Sequence, residues 1–339
     1  MQRLLKRCSR DDEKASEKRA QRTLNQRILN SVYSSQRMKR RYEVWFLRCG
    51  LADGGGAWWF RYLLLNRGRG GCCADPTGMP AQVWATWFPR AAAPRTFIQG
   101  YPAEALELSG PAQLPFHWHA AENGIEENTC WGDMRVDGHS ISWKLRYASD
   151  FGAVLAERGW LGFSKSPHSN AVFSGDITFD GNRSAGAPLG FGVQGHNCGY
   201  RYRTYWRWMH AYFRDASGRA STLEVLAYDM PFGLAFRNAV WWHEATPITL
   251  RGIKETEIVN DSSKLRWILS GLAPDGSPVE AAVEGTAPGV HHLPYTKTDC
   301  SGTFQVANAS LARAQVRFGK NGGDLLETAT GAVLEMRGT

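Results

Sequence analysis

From Tyr42 onward the chain is written in short runs of alternating apolar and polar positions, the period of two that marks extended strands. YEVWFLRCG (42–50) and AWWFRYLLLN (57–66), joined by a glycine-rich turn, predict a β-hairpin. AQVWATWFP (81–89) predicts the next strand, and residues 171–179 predict one that ends in an Asp180-Gly181 turn, a second hairpin signal. Further strands are expected in STLEVLAYDM (221–230), AVWWHE (239–244), LRWILSGL (265–272), VEAAVEG (279–285), residues 301–318 and AVLEMRG (332–338). Short strands at this spacing, with almost no long amphipathic helix, predict an all-β protein of sandwiches or barrels.

The richest stretch is GFGVQGHNCGYRYRTYWRWMHAYF (190–213). In an extended chain Trp206, Trp208, His210 and Tyr212 share one face, and Tyr205, Arg207, Met209 and Phe213 the other. Large aromatics on both faces suit a strand with one side in a core and the other lining a cavity. The stretch is therefore expected to be a pocket wall.

At 339 residues the chain exceeds one ordinary core, so two domains are expected, divided near residues 150–168. The division reads as a basic extension (1–40), a first barrel (41–165) and a second barrel (166–339). Residues 1–30 have helical spacing at Leu24, Ile28 and Leu29 and predict a short charged helix. The net charge of +8 is concentrated there: residues 1–41 hold 13 of the 40 Lys+Arg and 4 of the 32 Asp+Glu, leaving 27 against 28 for the rest. The leader would suit nucleic acid or an anionic membrane surface, but with no aromatic stacking residue before Tyr33 a solvated extension is the favoured reading. The near-neutral body argues against a nucleic-acid partner, even with Arg201, Arg203, Arg207 and Arg214 interleaved among aromatics. No apolar run reaches a membrane span, no secretory signal is visible, and seven cysteines without framework spacing fit free thiols in the cytoplasm. Nothing in the pattern calls for an obligate protein partner.

Gly190, Gly192 and Gly195 spell GxGxxG, but no strand–turn–helix context surrounds them, so a dinucleotide site is rejected. His117 and His119 share a face without an obvious third ligand, and no metal site is expected. His196-Asn197 and His210 support two readings: core histidines satisfied by backbone groups, or polar points in an apolar cavity. Glu224 and Tyr228 share a strand face that looks either into the cavity or into solvent. Glu43 with Trp45, and Trp59 with Arg61, lie on the two strands of the first hairpin. If those faces meet, Glu43 and Arg61 would form a buried pair.

The chain resembles the tocopherol cyclase-like and carotenoid 1,2-hydratase (hydroxyneurosporene synthase) superfamily, which includes AttH-like proteins. The matching pieces are YEVWF with AWWFRY, FSGDITFDG (173–181) and GVQGHNCGYRYRTYWRWMHAYF (192–213). The resemblance implies two tandem lipocalin-like antiparallel β-barrels with an apolar pocket near their interface. It implies isoprenoid, lipid or polyketide-like ligands, with no organic cofactor or metal. The motif positions are Glu43, Trp45, Gly195, His196, Asn197, Trp206, Trp208 and His210.

Two functions follow as expectations. One is a cyclase, hydratase or isomerase using an acid among Glu43, His196, His210 and Glu224, with Trp45, Arg61, Asn197, Trp206, Trp208 and Tyr228 contacting the ligand. The other is a non-catalytic lipid carrier in which the same aromatics provide only apolar contact.

Overall fold

The computed structural model describes residues 25, 41–66, 79–109, 115–157, 162–215, 217–298, 301–319 and 323–338. The expected basic helix and its membrane contact fall outside those residues. Among them, no helix is long and apolar enough to cross a membrane. The chain is all-β, built as two antiparallel sheets.

The first sheet begins with β1 (Arg41–Leu51), β2 (Gly56–Asn66), β3 (Ala81–Pro89) and β4 (Arg95–Tyr101). Short strands follow: β5 (Leu106–Leu108), β6 (His117–Ala120), β7 (Asn123–Glu126), β8 (Thr129–Val136), β9 (His139–Ala148) and β10 (Ala153–Glu157). The long hairpin β11 (Gly162–Phe179) and β12 (Asn182–Gly199) completes it. The spatial order is β4-β3-β2-β1-β12-β11-β9-β8-β7-β6-β5, with β10 paired to β11.

The second sheet holds β13 (Trp206–Arg214), β14 (Ala220–Asp229), β15 (Ala235–His243), β16 (Thr246–Thr249) and β17 (Arg251–Asn260). It continues through β18 (Lys264–Leu272), β19 (Pro278–Thr286), β20 (His291–Thr296), β21 (Thr303–Phe318) and β22 (Asp324–Arg337). Its two ends approach each other, Arg237 of β15 pairing with Glu255 of β17 at 2.6 Å, so the sheet is a nearly closed barrel.

The turns form where glycine and aspartate permit them. Asp53 Oδ1 accepts from the Gly55 N–H at 2.8 Å in the first hairpin. Asp180 and Gly181 take φ of 48° and 82°, the left-handed pair a two-residue hairpin needs. The change of sheet falls between Gly199 and Trp206, later than the 165/166 division read from sequence. The cause is β12, which pairs with β1 along residues 42–51 and holds the whole β11–β12 hairpin in the first sheet. The aromatic stretch 190–213 is thus the crossing from one sheet to the other.

Gly190, Gly192 and Gly195 are strand residues rather than turn residues. A Cβ on Gly190 would meet the Gly50 carbonyl oxygen at 2.4 Å, one on Gly192 the Arg48 carbonyl oxygen at 1.9 Å, and one on Gly195 the Phe46 ring at 2.1 Å. These glycines let β12 lie tightly against β1.

Both faces of β1 and β2 are buried, each for its own reason. Trp45, Leu47, Phe60 and Tyr62 point into the first barrel with Trp118 and Trp143. Phe46 and Trp59 point outward and pack with Trp208, Leu226, Val240 and Val333 of the second sheet. At roughly 1.5–3 kcal/mol per buried large side chain, that seam outweighs any surface ion pair, worth about 0–1 kcal/mol.

Arg48 lies in the same seam, 1% exposed. It donates to the carbonyls of Ser310 (2.8 and 3.1 Å), Thr330 (2.5 Å) and Gly331 (3.4 Å) in the second sheet, and of Phe191 (3.3 Å) in the first. One guanidinium therefore ties both sheets together through backbone groups.

Candidate functional site

A cavity of about 720 Å³ opens between the two sheets. Its wall from the first sheet is the outer face of β1, β2 and β12: Tyr42, Val44, Phe46, Trp59, Arg61 and Asn197. The opposite wall comes from β13 and β14 (Trp206, Trp208, Leu226, Tyr228), with Tyr295 of β20 and Glu335 of β22. The crossing segment contributes Tyr200, Arg201, Tyr202 and Arg203.

The aromatic part of the pocket is rigidly packed. Phe46 stacks on Trp59 at 5.4 Å, and the Trp208 ring stands edge-on to both, at 5.3 and 5.8 Å. Tyr228 stacks on Phe236 at 4.6 Å, with the Arg203 guanidinium 5.0 Å from the Tyr228 ring centre.

The polar part centres on Arg61, which is 2% exposed. Its guanidinium carbon lies 4.0 Å from the Tyr295 ring centre and 4.7 Å from that of Trp84. Its Nη1 is buried with no hydrogen-bond partner among the described residues. Tyr202 stacks on Tyr42 at 3.9 Å beside it. Burial pushes the Tyr202 phenol up to about 12 and the Tyr42 and Tyr295 phenols well above their ordinary value, so all three stay neutral donors.

Glu335 accepts from the Tyr295 hydroxyl and from Asn308 Nδ2, both at 3.0 Å and both on Oε2. Burial raises its carboxyl, a shift that the Arg61 charge and the two donors only partly offset. With Oε2 taking both donors, a proton on Glu335 resides on Oε1. The half-buried Asn197 adds a buried Oδ1 without a partner among the described residues.

The structure separates the ten residues singled out from sequence into three places. Arg61, Asn197, Trp206, Trp208 and Tyr228 all line the pocket. Glu43, Trp45 and His196 do not. They project from the inner face of the first sheet, where His196 Nε2 meets Glu43 Oε1 at 2.7 Å, both fully buried, and the Trp45 ring stacks on His196 at 4.6 Å. Glu43 stands opposite Leu64 and Arg61 opposite Phe46, so Glu43 and Arg61 leave the sheet on opposite sides and do not pair.

Glu224 and His210 occupy the third place, opposite one another in the β13–β14 ladder and behind the pocket wall. Glu224 accepts from Ser166 Oγ (2.5 Å), Ser169 Oγ (3.0 Å) and Trp208 Nε1 (2.9 Å). Burial raises its carboxyl to about 7 against these three donors. His210 Nε2 donates to the Ser169 carbonyl at 2.6 Å, which fixes the proton on that nitrogen, and its buried Nδ1 has no partner among the described residues. Burial lowers His210 to about 3, so it is neutral at ordinary pH and no acid. The four candidate acids, Glu43, His196, His210 and Glu224, do not converge on one cavity.

Sequence reading passed over Tyr42, Phe46, Tyr202, Tyr295 and Glu335, and named Trp59 only for its place beside Arg61. Glu335 carries the one usable signal, a lone acid alternating with Val333 in the apolar run AVLEM.

No protein-family model matches the chain, and no curated protein sequence does. Solved structures do match. CghA, solved with Sch210972, superposes with a TM-score of 0.59 at 12% identity over 88% of each chain. Kievitone hydratase from Nectria haematococca superposes at 0.53 and 9% identity, over 92% of this chain and 93% of its own. A putative AttH from Nitrosomonas europaea reaches only 0.43, too low to bear on the fold. Identities this low speak for architecture alone: the chain shares the two-sheet fold of CghA and kievitone hydratase.

Proposed function

We propose that this protein is a divergent member of the tocopherol cyclase-like superfamily, a cofactor-independent enzyme that binds an apolar isoprenoid- or polyketide-like small molecule between its two barrels. Its reaction is a cyclisation, hydration or isomerisation assisted by a proton from Glu335. The observation that carries this reading is the meeting, in one 720 Å³ cavity, of the Phe46–Trp59–Trp208 wall with a buried carboxyl held by Tyr295 and Asn308. Burial raises the Glu335 carboxyl and so favours the form that can donate a proton, and aromatic faces favour the positive charge that protonation of an alkene creates. A neighbour named as a hydratase, and another solved with a bound small molecule, support a catalytic pocket on this fold.

Turnover of a prenylated phenol or a linear carotenoid by the wild type, followed by chromatography, tests it. Glu335→Gln should slow the reaction by about 10²-fold or more. Wild type that consumes neither substrate would remove the catalytic reading.

One observation favours the carrier reading. Glu224, the carboxyl raised to about 7, is sealed behind Trp208 and does not line the pocket. Lipid retained by the natively purified protein in mass spectrometry, with no turnover, would establish that alternative.

A further inference from the structure

This inference rests on the interface pocket being the ligand site. Arg61 is a cation buried among rings, held between the faces of Trp84 and Tyr295. It makes no salt bridge among the described residues and its Nη1 donor is unsatisfied there, although the Glu335 charge and the Tyr202 hydroxyl both interact with it. A buried charge with a donor left unsatisfied is unfavourable unless something else meets it.

The rest of the lining meets it only in part. The charged side chains on the pocket wall are Arg61, Arg201 and Arg203 against the single carboxyl of Glu335. That carboxyl is already engaged by Tyr295 and Asn308, and its burial favours the neutral form. The cavity therefore has a surplus of positive charge facing an otherwise aromatic space.

From this juxtaposition we propose that the pocket selects apolar molecules that carry an anionic oxygen, a carboxylate, enolate or phenolate, and that Arg61 is the residue that receives it. The planar guanidinium, fixed by two rings, offers N–H donors whose direction does not depend on the ligand. Affinity for the hydrocarbon portion comes from the Phe46–Trp59–Trp208 wall. Choice among equally apolar ligands comes from Arg61.

The test is isothermal titration calorimetry of the full chain with sodium dodecanoate and with 1-dodecanol, two probes of equal chain length. Phenolate-bearing ligands are distinguished by a third titration with 4-octylphenol at pH 7 and at pH 11. Wild type should prefer dodecanoate over dodecanol by at least tenfold, and octylphenol should tighten as it ionises. Arg61→Gln should bring the acid-to-alcohol ratio close to one while leaving dodecanol affinity within about twofold, and Arg61→Lys should retain part of the preference. Retained dodecanol binding reports that the variant pocket is folded. Equal binding of the two probes by wild type, or a preference that survives Arg61→Gln, would overturn the inference while leaving the pocket in place. Binding of neither probe would overturn the pocket reading itself, and the inference with it.

Discussion

Trp208 donates its indole N–H to Glu224 at 2.9 Å. The bond joins a pocket-wall ring to a buried carboxyl that also takes two serine hydroxyls from the facing sheet. The aromatic wall is therefore held in position by a group whose charge changes near neutral pH.

That carboxyl gives a pH-dependent stability term of definite sign. Its folded-state value near 7 lies above the ordinary 4.5, so the folded protein binds this proton more tightly than the unfolded chain. The contribution is present in full below about pH 4.5 and is lost as pH rises through 7. His168, lowered to about 4, and His210, lowered to about 3, act in the opposite direction below pH 6.5. The Glu224 term is isolated by comparing wild type with Glu224→Gln in urea titrations. Between pH 4.5 and 7.5 the Gln variant should gain roughly 3 kcal/mol relative to wild type. A difference that stays constant with pH would show that Glu224 does not titrate in this window.

Arg48 should prove structural rather than catalytic. Arg48→Met removes the shared donor of four backbone carbonyls and leaves them buried in the seam between sheets. Equilibrium unfolding should show a loss of about 2–5 kcal/mol. A loss under 1 kcal/mol would mean that water replaces the guanidinium at little cost.

The glycines of β12 can be separated from turn glycines by one pair of variants. Gly192→Ala drives a Cβ to 1.9 Å from the Arg48 carbonyl oxygen and should cost at least 2 kcal/mol, because backbone must move. Gly276→Ala meets nothing within 4 Å and carries only the strain of its positive φ of 83°, about 1 kcal/mol. Thermal denaturation of the two should rank them in that order. The reverse order would place the tight strand approach elsewhere.

Much of the architecture was legible in the sequence. Period-two alternation and the Asp180-Gly181 turn marked the strands and hairpins, and the shared face of Trp206, Trp208, His210 and Tyr212 is the face the second sheet turns toward the first. What the pattern did not carry is which side of β1 and β2 faces the pocket. Trp45 and Phe46 are both large, apolar and buried, one in a barrel and one in a seam, and alternation gives them equal standing. Glu43 shares the inner face with Trp45, as alternation implies, while the register puts Arg61 on the outer face, so the two do not meet. Glu335 was hidden for a different reason. Its partner Asn308 stands opposite it on the preceding strand β21, in a register the chain alone does not fix, and Tyr295 comes from β20 on the far side of β21.

The most direct test of the site is a crystal structure with a bound probe carrying an anomalous scatterer, such as 12-bromododecanoate. The bromine and chain should lie between the sheets, against Trp59 and Trp208, with the carboxylate at Arg61. A probe found instead inside the first barrel, beside Glu43 and His196, would contradict the interface pocket as the functional site.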